Sequence, residues 1–266
     1  MPVTFNTYKT SIVNKLHNRR LINMADAREI MQSRTKYGLA DRVSCCFDEK
    51  VNDNSQKAMK IAKRGFVLDS EVTLIRTMQT KIEDMAVMFA KILSKKDTNP
   101  EVIKIKKEIR SKFGIKSLYL DNNLNYAKRI LKSLEILRNN NIPLADEIIV
   151  NSMLNMSAGI SNPKKKVMLI NPNAEDRLIT STDSPLHDII HEGIHIGQPD
   201  NPAIQFQKMP DKYKGTIDAL SMYASDNFIL EVHAELMTKK ILRPKLFTDE
   251  EQAALDYIEN LFKQHA

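Results

Sequence analysis

The sequence predicts an α+β chain, mostly helical, with a helical N-terminal region over residues 1–142 and a core with a small β-sheet over 143–266. Three observations carry this. Apolar residues recur at helical spacing through much of 70–138. The texture changes after Pro143, where two short runs rich in β-branched residues, 147–150 and 167–170, are separated by Gly159, Asn162 and Pro163. Helical spacing then returns beyond 186, around a pair of histidines.

In chain order, 8–21 and 24–31 have helical spacing, and 40–56 reads as a loop. Ile75, Met78, Ile82, Met85, Phe89 and Ile92 alternate at three and four, predicting a long helix over 70–96. Its methionine-rich stripe reads as core in preference to a partner groove. The segment 97–100 breaks that helix and starts another over 101–113, ended by Gly114. A short β-like run follows at 116–120. A helix over 123–138 presents Ile130, Leu131, Leu134 and Leu137 on one face. The two strands come next, and Asn171-Pro172-Asn173 ends the second.

Bulk properties narrow the class. With 266 residues, 42% of them apolar and 27% charged, the chain can bury a proper core. No apolar run approaches the length of a membrane span. Cys45 and Cys46 are adjacent, so they form no disulfide framework, and no further cysteine completes a thiolate metal site; a reducing compartment suits them. The net charge of +7 invites a nucleic-acid reading, but the cations are interleaved with acids, tryptophan is absent and no nucleic-acid motif is present. The densest cationic run, Lys164-Lys165-Lys166, follows Pro163 and reads as a turn.

The chemistry concentrates in His191-Glu192-Gly193-Ile194-His195, an H-E-x-x-H sequence. On a helix, residues four apart share a face, so His191 and His195 offer two imidazoles to one metal ion. Glu192 projects along the same side, where a general base for metal-activated water belongs. Ile189, Ile190 and Ile194 would bury the helix, with Asp183 or Ser184 as its N-cap and Pro185 in its first turn. Four of the six histidines (187, 191, 195 and 233) lie in this region, which argues against an accidental pair. His187, one turn before His191, could support a ligand from behind, but a capping or surface role is the preferred reading.

Two imidazoles hold zinc poorly, and a catalytic site requires a third protein ligand. No histidine lies near Asn201, which excludes the class with a third histidine shortly downstream. Two candidates remain. Asp218 ends Gly215-Thr216-Ile217-Asp218, which resembles part of the Gly-Thr-x-Asp motif of aspartate-ligated zinc peptidases, although Ala219-Leu220 stands where Tyr-Gly should follow. The segment 228–237 reads as a helix on which Glu231 and Glu235 share a face, with small Ala234 allowing close helix approach and His233 directed away.

Tyr223 followed by Glu231-x-x-Ala234-Glu235 resembles the second half of the active site in anthrax-lethal-factor-like peptidases, which belong to the glutamate-ligated zinc peptidases, or gluzincins. The resemblance covers about 185–240. It implies a zincin-like core, one Zn2+ per chain on His191, His195 and Glu231, Glu192 as general base, Tyr223 as oxyanion stabiliser and Glu235 as the partner of a ligand. It implies a zinc endopeptidase acting on a protein substrate. Because the group includes many bacterial toxins and injected effectors, it also implies delivery by a specialised secretion system into a host cytosol. The polar N-terminus, without the apolar core of a cleavable signal, fits a retained export signal. Two other classes stand beside this reading. One is a catalytically silent zincin fold used as a binding module, against which the intact Glu192 counts. The other is a basic adaptor protein with an accidental H-E-x-x-H.

Overall fold

The computed structural model describes residues 69–151, 159–172, 186–201, 207–220 and 228–265, together with 27, 31, 32, 53, 56, 57 and 204; side chains at 69–76, 79, 92, 159 and 160 are excepted. The expected helices at 8–21 and 24–31, the loop at 40–56 and the Cys45–Cys46 pair fall outside the continuously described segments. Among the described residues no helix is long and apolar enough to cross a membrane.

Helix α1 (Asp69–Leu93) is the long amphipathic helix that the apolar spacing predicts. Ile82, Met85 and Phe89 are buried and Met78 is half-buried, so the stripe is core along 82–89. Polar ties fix α1 to the sheet. Asn151 donates from Nδ2 to the Ala90 carbonyl at 2.8 Å, Lys91 pairs with Glu147 at 2.7 Å, Asn162 donates to Glu83, and Lys165 pairs with Asp84.

Helix α2 (Pro100–Phe113) starts where Asn99 accepts from the Glu101 N–H at 2.9 Å, with proline in the first turn. It stops at Gly114, whose φ of 71° lies in the left-handed region, where a Cβ is penalised. Strand β1 (Ser117–Tyr119) leads to α3 (Leu124–Asn139), which is capped by Asn123 and buries Ile130, Leu134 and Leu137. Strands β2 (Glu147–Val150), β3 (Gly159–Asn162) and β4 (Val167–Ile170) complete a mixed sheet in the order β1-β2-β4-β3. The first three run parallel, and β3 runs antiparallel to β4. All four residues of β4 are buried, as expected of an inner strand covered on both faces.

One detail differs from the sequence expectations. Gly159 and Asn162, read as separators, are the ends of a strand. Glycine, serine and asparagine are poor strand formers, but β3 is an edge strand whose pairing with β4, from Gly159 opposite Ile170 to Asn162 opposite Val167, overrides propensity. The turn from Pro163 to Lys166 closes this hairpin, with Lys166 at φ 50°, so the lysine run is a turn as its sequence suggests. The core crosses position 142. Ile109, Leu118, Ile130 and Leu134 pack in one cluster with Ile148, Met168, Ile189 and Ile196.

Helix α4 (His187–Ile196) carries the H-E-x-x-H sequence, and Leu186 occupies its cap position without a side-chain cap bond. Asp183, Ser184 and Pro185 lie outside the described residues. Beyond it come α5 (Lys214–Asp218), α6 (Ile229–Leu242) and α7 (Asp249–Gln264). Thr248 and Glu251 form a capping box at the start of α7, and Glu251 also accepts from Lys239 on α6 at 2.5 Å.

Helix α4 is enclosed. Ile189 and Ile196 join the sheet-side core, while Ile190 and Ile194 pack with Leu137 of α3 and Ala234 of α6. Each such burial contributes about 1.5–3 kcal/mol. Gly193 sets the distance to α3: a Cβ there would lie 3.0 Å from Leu137 Cδ2 and 3.3 Å from its Cγ, and closer still to Cδ1. Leu137 is buried, so it can yield only by repacking against its neighbours. Gly193→Val is therefore expected to cost about 1–3 kcal/mol through overpacking. Thermal unfolding of the metal-free protein checks this, and an unchanged midpoint would mean that the helices separate without cost.

Candidate metal centre

Helices α4 and α6 pack against each other, and the sites of interest lie on their facing sides. His191 and His195 are one turn apart on α4, and Glu231 is in the first turn of α6. The Nε2 atoms of the two histidines are 3.0 Å apart. Glu231 Oε2 lies 3.3 Å from Nε2 of His191 and 3.5 Å from Nε2 of His195. An ion held tetrahedrally at about 2.0–2.2 Å from each donor requires donor atoms about 3.3–3.6 Å apart. The two separations to Glu231 match this spacing and the imidazole pair is a few tenths of an ångström closer, so a small ion needs only a slight spreading of the two rings; the three residues form the group that could hold one among the described residues. Asp218, the other sequence candidate for third ligand, is exposed at the end of α5 and is not in this group. Tyr223 lies outside the described residues.

The electrostatics favour positive charge at the point where the three donors meet. Burial lowers the proton affinity of His191, but hydrogen bonding and charge from Glu231 and Glu235 outweigh it and hold the imidazole well above its ordinary range. His195 is raised in the same way: burial opposes, and Glu231 prevails. Burial pushes the Glu231 carboxyl up, and the two imidazoles, with the charge of His195 foremost, bring it well below the ordinary carboxylate range. Its side chain remains 40% exposed, so the charges count for more than the burial. Buried ionisable groups gathered this closely are costly to a fold, and such clusters mark functional sites.

Behind the donors, Glu235 serves two histidines. Its Oε2 lies 3.3 Å from His187 Nε2, and its Oε1 lies 3.1 Å from His191 Nδ1. His187 is not the surface residue expected from its position. Burial alone would lower its proton affinity, but hydrogen bonds to Asp188 and Glu235 reverse this and hold it up to about 9. Glu235, in turn, is kept well below its ordinary range by His187 and His191 despite its burial.

Glu192 is 8% exposed and is not one of the three grouped donors. Burial pushes its carboxyl up, against the pull of His195, His191 and a hydrogen bond from Ser161. A buried carboxylate with raised proton affinity is suited to taking and returning a proton. Ser161, on edge strand β3, places its Oγ 2.7 Å from both Glu192 Oε2 and the Glu192 carbonyl. The single hydroxyl proton is shared between these two acceptors, so Ser161 holds the Glu192 side chain against the backbone of its own residue.

Two contributors escape the sequence reading. Ser161 carries no local signal, because it sits in a Gly-Ile-Ser-Asn run that reads as a turn. Gln198 has a usable one: it follows His195 by three residues, which on a continuing helical turn is the same face. Its Oε1 lies 2.7 Å from His195 Nδ1. His233, left out of the ligand set on helical grounds, is buried against Phe262 and contacts Gln198. Burial, with the nearby charge of His195, lowers its proton affinity to about 3, so it is neutral.

No protein-family model, curated protein or solved structure matches this chain. The chemistry of the site rests on its own geometry.

Proposed function

We propose that this chain is a zinc-dependent endopeptidase, with His191, His195 and Glu231 holding one Zn2+ and Glu192 acting as general base. The observation that supports it most is the convergence of the three donor atoms at separations of 3.0, 3.3 and 3.5 Å beside a buried glutamate that is not among them. Two imidazoles and one carboxylate suit zinc and related transition ions; magnesium and calcium prefer all-oxygen sites. Bound there, zinc would lower the pKa of a water and polarise a peptide carbonyl.

The protein's own residues supply the rest. Glu192 removes the proton from the attacking water and returns it to the departing amine. Ser161 fixes Oε2 of Glu192, which leaves Oε1 as the oxygen that exchanges the proton. Glu235 holds His191 from behind and is itself held by His187, so the ligand face of α4 keeps its orientation. On the lethal-factor-like resemblance, Tyr223 stabilises the oxyanion, the substrate is a host protein and the chain is a bacterial effector delivered into the host cytosol.

Metal analysis of purified protein after mild dialysis is expected to give about one zinc per chain. A chelator is expected to abolish hydrolysis of an unfolded protein substrate, and zinc to restore it. Correctly folded protein that takes up no zinc would end this reading.

A further inference from the structure

We propose that Gln198 is a positioning residue of this site: its side-chain amide locks His195 in the tautomer that keeps Nε2 bare toward His191 and Glu231, and ties that ligand to the first turn of α6. This rests on the metal-site reading above and adds a residue to it.

The orientation of the amide follows from its partners. One end of the Gln198 side chain lies 2.7 Å from the Leu230 carbonyl. A carbonyl only accepts, so the group facing it is the amide nitrogen. The oxygen then faces His195 Nδ1 at 2.7 Å, and an oxygen that only accepts requires a proton on Nδ1. With Nδ1 protonated, a neutral imidazole has its lone pair on Nε2, the atom 3.0 Å from His191 Nε2 and 3.5 Å from Glu231 Oε2.

The second amide hydrogen is used as well. Gln198 Nε2 lies 3.0 Å from His233 Nδ1, which accepts when the ring carries its proton on Nε2. Both donors and the acceptor of Gln198 are thereby engaged, and reversing the amide would set its oxygen against the Leu230 carbonyl. Gln198 is 6% exposed, so water offers little replacement for a lost bond.

The connection also joins the two ligand-bearing helices. Gln198 follows the end of α4, and Leu230 immediately precedes Glu231 in α6. One side chain therefore registers His195 against the backbone that carries Glu231. Fixing a ligand's tautomer and its neighbour's place in this way commonly accounts for a 10–100-fold difference in metal affinity.

The test compares wild type with Gln198→Leu and Gln198→Glu. Long-range proton–nitrogen NMR of histidine, on metal-free protein at alkaline pH where the imidazole is neutral, reads the His195 tautomer. Wild type is expected to show the proton on Nδ1. Gln198→Leu is expected to shift it toward Nε2 and to weaken zinc binding by about 10–100-fold. Gln198→Glu keeps an acceptor for Nδ1–H but sets an oxygen against the Leu230 carbonyl, so it is expected to retain the wild-type tautomer, which a role confined to packing would not produce, and to lose the tie to α6. A Gln198→Leu protein with wild-type tautomer and zinc affinity overturns the proposal. If Gln198→Leu does not fold, Gln198→Glu decides, and a proton on Nε2 there overturns it. Failure of wild type to bind zinc would refute the metal reading, while the metal-free tautomer still judges Gln198.

Discussion

Glu192→Gln is expected to keep its zinc and to lose about a hundredfold or more of its hydrolytic rate. The substitution preserves size and removes the group that accepts a proton. Glu192 is not one of the three converging donors, so metal content stays close to wild type. An amide can still take the hydrogen bond from Ser161, and it removes a buried carboxyl whose charge burial disfavours. Thermal stability is therefore expected to stay level or rise slightly. Metal analysis, a thermal melt and a rate measurement on one protein substrate suffice. Hydrolysis at the wild-type rate would show that Glu192 is not the base. Loss of zinc would show that it is a ligand or supports one.

Glu231→Ala is expected to lose most of its zinc, and hydrolysis with it. Two imidazoles remain after the change, and they are a weak site alone. The variant also leaves His191 and His195 without the carboxylate that, with Glu235, favours positive charge between them. Asp218→Ala is the matched control: Asp218 is exposed on α5, so its removal is expected to leave zinc content unchanged. The opposite pattern, with zinc kept in Glu231→Ala and lost in Asp218→Ala, would move the third ligand to Asp218 and require α5 to swing toward α4. Metal content per chain reads both variants.

Much of the fold is legible locally. The helices around Met85, Ile109 and Ile130 follow from apolar spacing, and their ends follow from Asn99, Gly114 and Asn123. The strands at 147–150 and 167–170 follow from continuous β-branched runs. The edge strand β3 does not, because it is built of poor strand formers and exists through pairing with β4. His187 looks like a surface residue because sequence alone shows neither Glu235 nor the burial that reverses its surroundings.

What the sequence by itself determined is whatever helical periodicity controls. His191 and His195 share a face because they are four apart, Glu192 lies beside them because it follows by one, and Glu231 and Glu235 share a face on the second helix. All of that is settled within a few turns of backbone. Only the tertiary structure brought Glu231, and not Asp218, beside the two histidines, brought Ser161 to Glu192 across 31 residues, and placed Glu235 between two histidines 48 and 44 residues before it. Those distances depend on how closely α3, α4, α6 and the sheet approach one another. Small residues at Gly193 and Ala234 set that approach, and a chain shows where such residues stand but not what will be packed against them.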